Sequence, residues 1–387
     1  MSSVDHRDVG VEDLIRRALP GVRALSPYEP GKPISELERE YGVTDIIKLA
    51  SNESPLGASP AARAAAAAAL AELALYPDGN TYELKQALAR RQRLDPRCLT
   101  LGNGSNDLLE LISRVFLAPG RNAVYSQYAF AIYALVAQAA GAEGRFVAAH
   151  PLTHPQPLGH DLAAMAAQVD EDTAVVFLAN PNNPTGTWFD RAEFEDFMQA
   201  VPRRTLVVLD EAYFEYVEEP QYPNGRDYLA DHPNLIVIRT FSKAYGLAAL
   251  RVGYAMSHPV IADLLNRVRQ PFNVNQVAQQ AALAALDDEA HLARALEINR
   301  QGLRQLAQGL DDLGLARLPS VANFIAVRVP QAGAAYEALL RAGIIVRPLA
   351  GYRMPDYLRV TIGLPEQNAR FLTALGRILP ELADSAC

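Results

Sequence analysis

The chain has 387 residues, half of them apolar and 21% charged, which describes a folded protein large enough for more than one core and excludes a disordered one. A net charge of -8 leaves no basic excess to neutralise phosphates, so nucleic acid is excluded as the main partner. The two cysteines, Cys98 and Cys387, lie far apart, which excludes a disulfide framework or a cysteine-based zinc site and fits a reducing cytoplasm; no run is apolar for long enough to span a bilayer, and residues 1–20 lack the continuous apolar stretch of a signal peptide.

In chain order, residues 11–20 read as a short amphipathic helix stopped by Pro20, followed by an extended, proline-rich arm, Leu25-Ser26-Pro27-Tyr28-Glu29-Pro30-Gly31. Ile46 to Leu49 predicts a short strand, and Ala50-Ser51-Asn52-Glu53-Ser54-Pro55-Leu56-Gly57 a loop. The alanine-rich run from Ala61 to Leu75 predicts a plain helix ending at the turn Tyr76-Pro77-Asp78-Gly79. Leu99 to Leu101 leads into Gly102-Asn103-Gly104-Ser105-Asn106-Asp107 and then a helix, the arrangement that aims free backbone N–H groups at an anion. Asp107 stands where a dinucleotide fingerprint needs its third glycine.

From there short apolar runs alternate with helical patterns: strands are expected at 123–125, 145–147, 174–178, 205–209, 235–238 and 252–256. That alternation predicts an α/β chain with a mostly parallel sheet covered on both faces and ligands at the C-terminal strand ends. His150 to His160 holds three histidines among prolines without metal-ligand spacing and reads as a solvated loop. Beyond Pro259 long helical patterns precede the strand candidates at 323–327, 344–346 and 358–362, which together read as a smaller α+β unit.

Polar clusters follow the buried strands. The segment Thr240-Phe241-Ser242-Lys243-Ala244-Tyr245-Gly246-Leu247 places a lysine just past one strand end, among small and hydroxylated neighbours. Desolvation there lowers its pKa and frees the amine for a Schiff base with a carbonyl compound. Arg251 is suited to gripping a phosphate, and lysine plus phosphate anchor suggests pyridoxal 5'-phosphate (PLP) as the carbonyl partner. Asp210, at another strand end, would keep a pyridinium nitrogen protonated; Tyr213 and Asn183 would donate to the cofactor's phenolic oxygen; Tyr128 would stack on its ring. Gly104, Ser105, Asn106, Ser242 and Arg251 would cup its phosphate.

The order of these pieces, with Asn183-Pro184-Thr185-Gly186, Asp210-x-x-Tyr213, Ser242-Lys243 and Arg251, resembles the fold-type I PLP-dependent aminotransferases over nearly the whole chain. The resemblance implies a seven-stranded, mostly parallel sheet flanked by helices and a smaller C-terminal α+β domain. It divides the chain into an N-terminal arm (1–45), a large PLP-binding domain (46–290) and a small domain (291–387). It also implies a homodimer with shared active sites, in which Tyr76 crosses to the partner's cofactor phosphate.

Within that family, Leu25-Ser26-Pro27-Tyr28, Asn52-Glu53-Ser54-Pro55-Leu56-Gly57, Ile344-Ile345-Val346-Arg347-Pro348 and Tyr357-Leu358-Arg359-Val360-Thr361 resemble the histidinol-phosphate aminotransferases, with Ser54 replacing an asparagine. This implies a ping-pong transfer from histidinol phosphate to 2-oxoglutarate, in which Lys243 moves the proton. Tyr28, Asn52, Arg347 and Arg359 would bind substrate, since a guanidinium matches both carboxylate and phosphate. An aromatic amino acid aminotransferase and a PLP-dependent phosphothreonine decarboxylase are the alternative readings.

Overall fold

The computed structural model describes residues 11–28 and 31–384; expectations that fall on residues 1–10, on Glu29 and Pro30, and on Cys387 lie outside them. The apolar runs form strands β1 (Ile47–Lys48), β2 (Leu99–Gly102), β3 (Asn122–Ser126), β4 (Glu143–Val147), β5 (Thr173–Ala179), β6 (Leu206–Asp210), β7 (Leu235–Thr240), β8 (Gly253–Ser257), β9 (Phe324–Arg328), β10 (Ile344–Ile345), β11 (Arg347–Pro348) and β12 (Tyr357–Thr361). β2 to β8 make a seven-stranded sheet in the order β2-β8-β7-β6-β5-β3-β4. It is parallel except at β8, which runs antiparallel to both its neighbours.

Strand alternation explains why both faces are dry. Val176 and Leu178, Val207 and Leu209, Leu235 and Val237 enter one apolar cluster. Their neighbours Val175 and Phe177, Leu206 and Val208, Ile236 and Ile238 enter another on the opposite face. Helices cover each layer: Pro60–Ala69 and Gln276–Asp287 contribute Ala62, Ala278, Ala281 and Ala282 to the first, and Ser105–Phe116 contributes Leu108, Leu109 and Ile112 to the second. The alanine-rich run leaves the α-helical form at Ala69 and tightens into a 3-10 turn at Leu70–Glu72, before the expected end.

A third core holds Ile325, Val327, Val346, Leu358, Val360 and Phe371, between the antiparallel sheet β11-β12-β9 and the helices Ala332–Arg341 and Pro365–Asp384. β1 belongs here. It pairs in parallel with β10, Ile47 opposite Ile344, and Ile47 and Leu49 join the third core although the sequence places them at the head of the large unit. The helix Glu289–Asp312, about 36 Å long at 1.5 Å per residue, ties the units together. Its Leu292 packs against the first cluster, and its Leu306 and Leu310 are buried in the third. Among the described residues no helix is long and apolar enough to cross a membrane.

Candidate active site

The C-terminal ends of β5, β6 and β7, the start of the helix Ser105–Phe116 and the β11–β12 pair surround one cavity of about 190 Å3. Ala179, Asp210, Thr240, Ser242, Lys243 and Arg251 line it from the large unit; Arg347 and Arg359 line it from the small one. Tyr28, Asn52, Ser105, Asn106, Asn183 and Tyr213 complete the gathering of residues singled out in the sequence.

Lys243 follows β7 directly, where the buried strand gives way to a polar turn. Its Nζ donates to the carbonyl of Ser51 at 3.1 Å. Burial, then the guanidinium groups of Arg359 and Arg251, push its pKa down to about 7, against the opposing pull of Glu53 and Asp210. The amine is therefore far more easily freed of its proton than that of an ordinary lysine. Asp210 ends β6 almost wholly buried, and burial raises its carboxyl to about 6. Tyr133 Oη donates to it at 2.9 Å, and the Ala212 N–H at 3.1 Å.

Tyr133 was hidden in the sequence because an aromatic in an apolar helix reads as core. It is core on one face, stacked on Phe177 at 4.9 Å, and a hydrogen-bond donor at its tip. Tyr128 is not on the cavity wall: its side chain packs toward Leu318, Ala326, Leu349, Tyr352 and Met354, and its hydroxyl accepts from Gln127. Phe130, just before the helix Ala131–Ala139, lines the cavity.

Gly104 sits at φ +84° just before the helix Ser105–Phe116, and a Cβ built there would lie 2.3 Å from an Arg251 guanidinium nitrogen. The missing side chain brings the helix N-terminus and the guanidinium together. Arg251 also donates to Ser242 Oγ at 3.3 Å. Of the five residues expected to cup a phosphate, Ser105, Asn106, Ser242 and Arg251 line the cavity, with Gly104 behind them.

Arg359 is 6% exposed; it donates to the Ala50 carbonyl at 2.7 Å and to Asn183 Oδ1, while its Nε has no partner among the described residues. Arg347 stands opposite it in the β11–β12 register, so the two side chains share a face of that sheet. The Arg347 guanidinium lies 5.8 Å from the centre of the Tyr28 ring. Tyr213, buried and with its pKa raised to about 12, accepts at its hydroxyl from Asn52 Nδ2 at 2.9 Å; Asn52 Oδ1 accepts in turn from Thr361. Asn52 thus connects the two units. Tyr76 is 83% exposed, stacks on Phe272 and lies outside this cavity.

Residues 44–375 match the family described as aminotransferase class I and II. The chain belongs to the class I and II aminotransferases. It is 59% identical over 372 residues to histidinol-phosphate aminotransferase 2 of Pseudomonas aeruginosa, covering 95% of this chain and 99% of that one. It is 54% identical over 360 residues to histidinol-phosphate aminotransferase of Methylobacillus flagellatus, covering 92% and 96%. The crystal structure of histidinol-phosphate aminotransferase from Sinorhizobium meliloti in complex with pyridoxal-5'-phosphate superposes with a TM-score of 0.84 at 31% identity, over 96% of this chain and 98% of that one. In this aminotransferase the mostly parallel sheet and its flanking helices are the fold-type I architecture expected from the sequence.

Proposed function

We propose that this aminotransferase carries an amino group from L-histidinol phosphate to 2-oxoglutarate, giving imidazole-acetol phosphate and L-glutamate, as a cytoplasmic homodimer that uses PLP. The observation that carries the substrate reading is the register pair Arg347 and Arg359, two guanidinium groups on one sheet face beside a lysine whose amine is free near pH 7. One such pair can grip a phosphate ester and, in the second half of the cycle, a carboxylate.

The residues fit the cofactor. Asp210 is a buried carboxylate facing the cavity and in need of a cation. The Gly104–Ser105 turn and Arg251 leave a cradle that a Cβ would fill. Asp210 would hold the pyridinium, Phe130 would flank the ring, and Ser105, Asn106, Ser242 and Arg251 would hold the phosphate. Asn183 and Tyr213 lie at the wall expected to meet the phenolic oxygen. When bound, PLP supplies an aldehyde for the amine and a ring that withdraws electrons from the substrate's α-carbon.

The chain's own residues do the rest. Lys243, held by the Ser51 carbonyl, takes the α-proton as a free amine and returns it as an ammonium. Its depressed pKa places both protonation states within reach at physiological pH. Arg359 aligns glutamate's α-carboxylate, and Arg347 with Tyr28 holds the phosphate of the other substrate, so that the α-carbon faces Lys243. The exposed apolar side chains Leu70, Leu73, Leu75 and Tyr76 support the homodimer reading.

The test offers single amine donors to the purified protein and follows loss of the bound cofactor's absorbance. Histidinol phosphate should react fastest. Preference for tyrosine or phenylalanine would assign the chain to the aromatic enzymes, and carbon dioxide release from phosphothreonine would assign it to the decarboxylases.

A further inference from the structure

β3 and β5 run side by side only as far as Tyr125 opposite Phe177. Beyond that point β3 turns away; the Gln127 N–H donates to Val147 on its other side, and the chain goes on to build the wall with Phe130. β5 continues to Ala179, opposite Asp210 on β6. In a parallel strand successive N–H groups point to alternate neighbours. The Asn180 N–H donates to the Asp210 carbonyl at 3.0 Å, so the Ala179 N–H faces the side that β3 has left. A buried N–H left without an acceptor there would be costly.

His160 fills that vacancy. Its Nε2 accepts from the Ala179 N–H at 3.2 Å, inside a buried pocket where Phe189 flanks the ring. An accepting Nε2 fixes the neutral tautomer with the proton on Nδ1, and that nitrogen has no partner among the described residues. The ring is held from both sides in sequence. Gly159 accepts from the His150 N–H at 3.0 Å and lies so close to Thr187 that a Cβ would come within 3.2 Å of its hydroxyl. Asp161 caps the next helix by accepting from the Ala164 N–H at 2.9 Å. Burial holds the imidazole's pKa down at about 4, so it stays an acceptor throughout the neutral range. The residues His150 to His160 that read as a solvated loop therefore end in a buried ring.

We propose that His160 is a positioning residue for the transamination: it replaces the backbone acceptor withdrawn by β3 and so fixes the end of β5, which aligns Asp210 and the turn carrying Asn183 at the cavity. A second side-chain bond closes the same gap farther on, from Asn182 Nδ2 to the Tyr128 carbonyl at 3.0 Å. Ala179 itself lines the cavity, so any shift of this strand end is felt where the cofactor ring would lie. The inference rests on the transaminase reading, and wild-type turnover measured alongside tests that reading separately.

The experiment compares His160→Leu, His160→Gln and His160→Asn. Glutamine can bring an oxygen near the place of Nε2, whereas asparagine reaches only to that of Nδ1. For the leucine and asparagine variants, PLP titrated into the cofactor-free protein should bind about tenfold more weakly, the size of one lost buried hydrogen bond. Turnover should fall by a similar factor with little change in KM, and the Ala179 amide should lose protection from hydrogen exchange while the Phe177 amide keeps it. Glutamine should recover most of the affinity and turnover. If the leucine variant fails to fold, the glutamine–asparagine contrast still decides. Asparagine equal to glutamine in PLP affinity, or a leucine variant with lowered Tm but unchanged affinity and turnover, would overturn the proposal.

Discussion

At the residue scale, the most informative group is Lys243, because its location sets its chemistry. An ammonium buried beside the guanidinium groups of Arg359 and Arg251 is destabilised twice, by lost water and by like charge. In the cofactor-free protein its amine should react with small aldehydes with a midpoint near pH 7, well below the ordinary lysine range, as read by reductive labelling and peptide mass. The same shift gives a sign to stability. Between about pH 7 and the ordinary lysine value the unfolded chain binds the proton and the folded chain does not, so the stability of the cofactor-free protein rises with pH across that window. Below it the lysine is charged in both states and the burial penalty is fully present. Denaturation midpoints of wild type and Lys243→Met against pH would show the slope in the former and its loss in the latter. Lys243→Ala should reduce turnover by about 10³-fold or more, the size of a lost general base. Arg347→Ala should raise KM for the phosphorylated substrate by about 10–100-fold and affect glutamate less, through loss of a charge-assisted pair.

At the element scale the site is made by strand ends, and this decides how much of it the sequence reveals. Lys243, Asp210 and Arg251 were legible because each lies at or near the end of a buried apolar run, where a charged group needs a reason. Phe130 and Tyr133 were not, because Tyr128, Phe130 and Tyr133 crowd a few residues and only the actual start of the helix at Ala131 selects which ring faces the cavity. β1 was legible as a strand but not in its partner: two residues carry no register information, and their pairing with Ile344 and Ile345 is set by a core assembled some 300 residues later. The strand–turn–helix at Gly104 gives a direct test. Gly104→Ala combines a positive φ, which costs an L-residue about 1–2 kcal/mol, with a methyl group pressed against Arg251. PLP affinity of the cofactor-free protein should drop by about tenfold or more, measured by fluorescence titration.

At the scale of the whole molecule, two sheets on separate cores meet at one cavity. The large unit supplies Lys243, Asp210 and Arg251, and the small unit supplies Arg347 and Arg359. Asn52 connects them through Tyr213 and Thr361. Exposed Leu73 and Leu75 near the stacked Tyr76 and Phe272 give the proposed homodimer a test: Leu73→Glu with Leu75→Glu should leave only monomers in sedimentation and remove activity with the dimer. A chain of net charge -8 that gathers four basic side chains around a single cavity should also bind its anionic substrates less well as salt rises, visible as a fall in kcat/KM.

The facing arginines of β11 and β12 have a consequence outside catalysis. The pairing of β11 with β12 is what sets the two guanidinium groups on one face, so an anion gripped by both binds the folded sheet and not the unfolded chain. Ligand that binds only the folded form adds stability in proportion to the logarithm of its concentration. The melting temperature of the protein should therefore climb as an anionic substrate is added, and Arg347→Ala should flatten that climb.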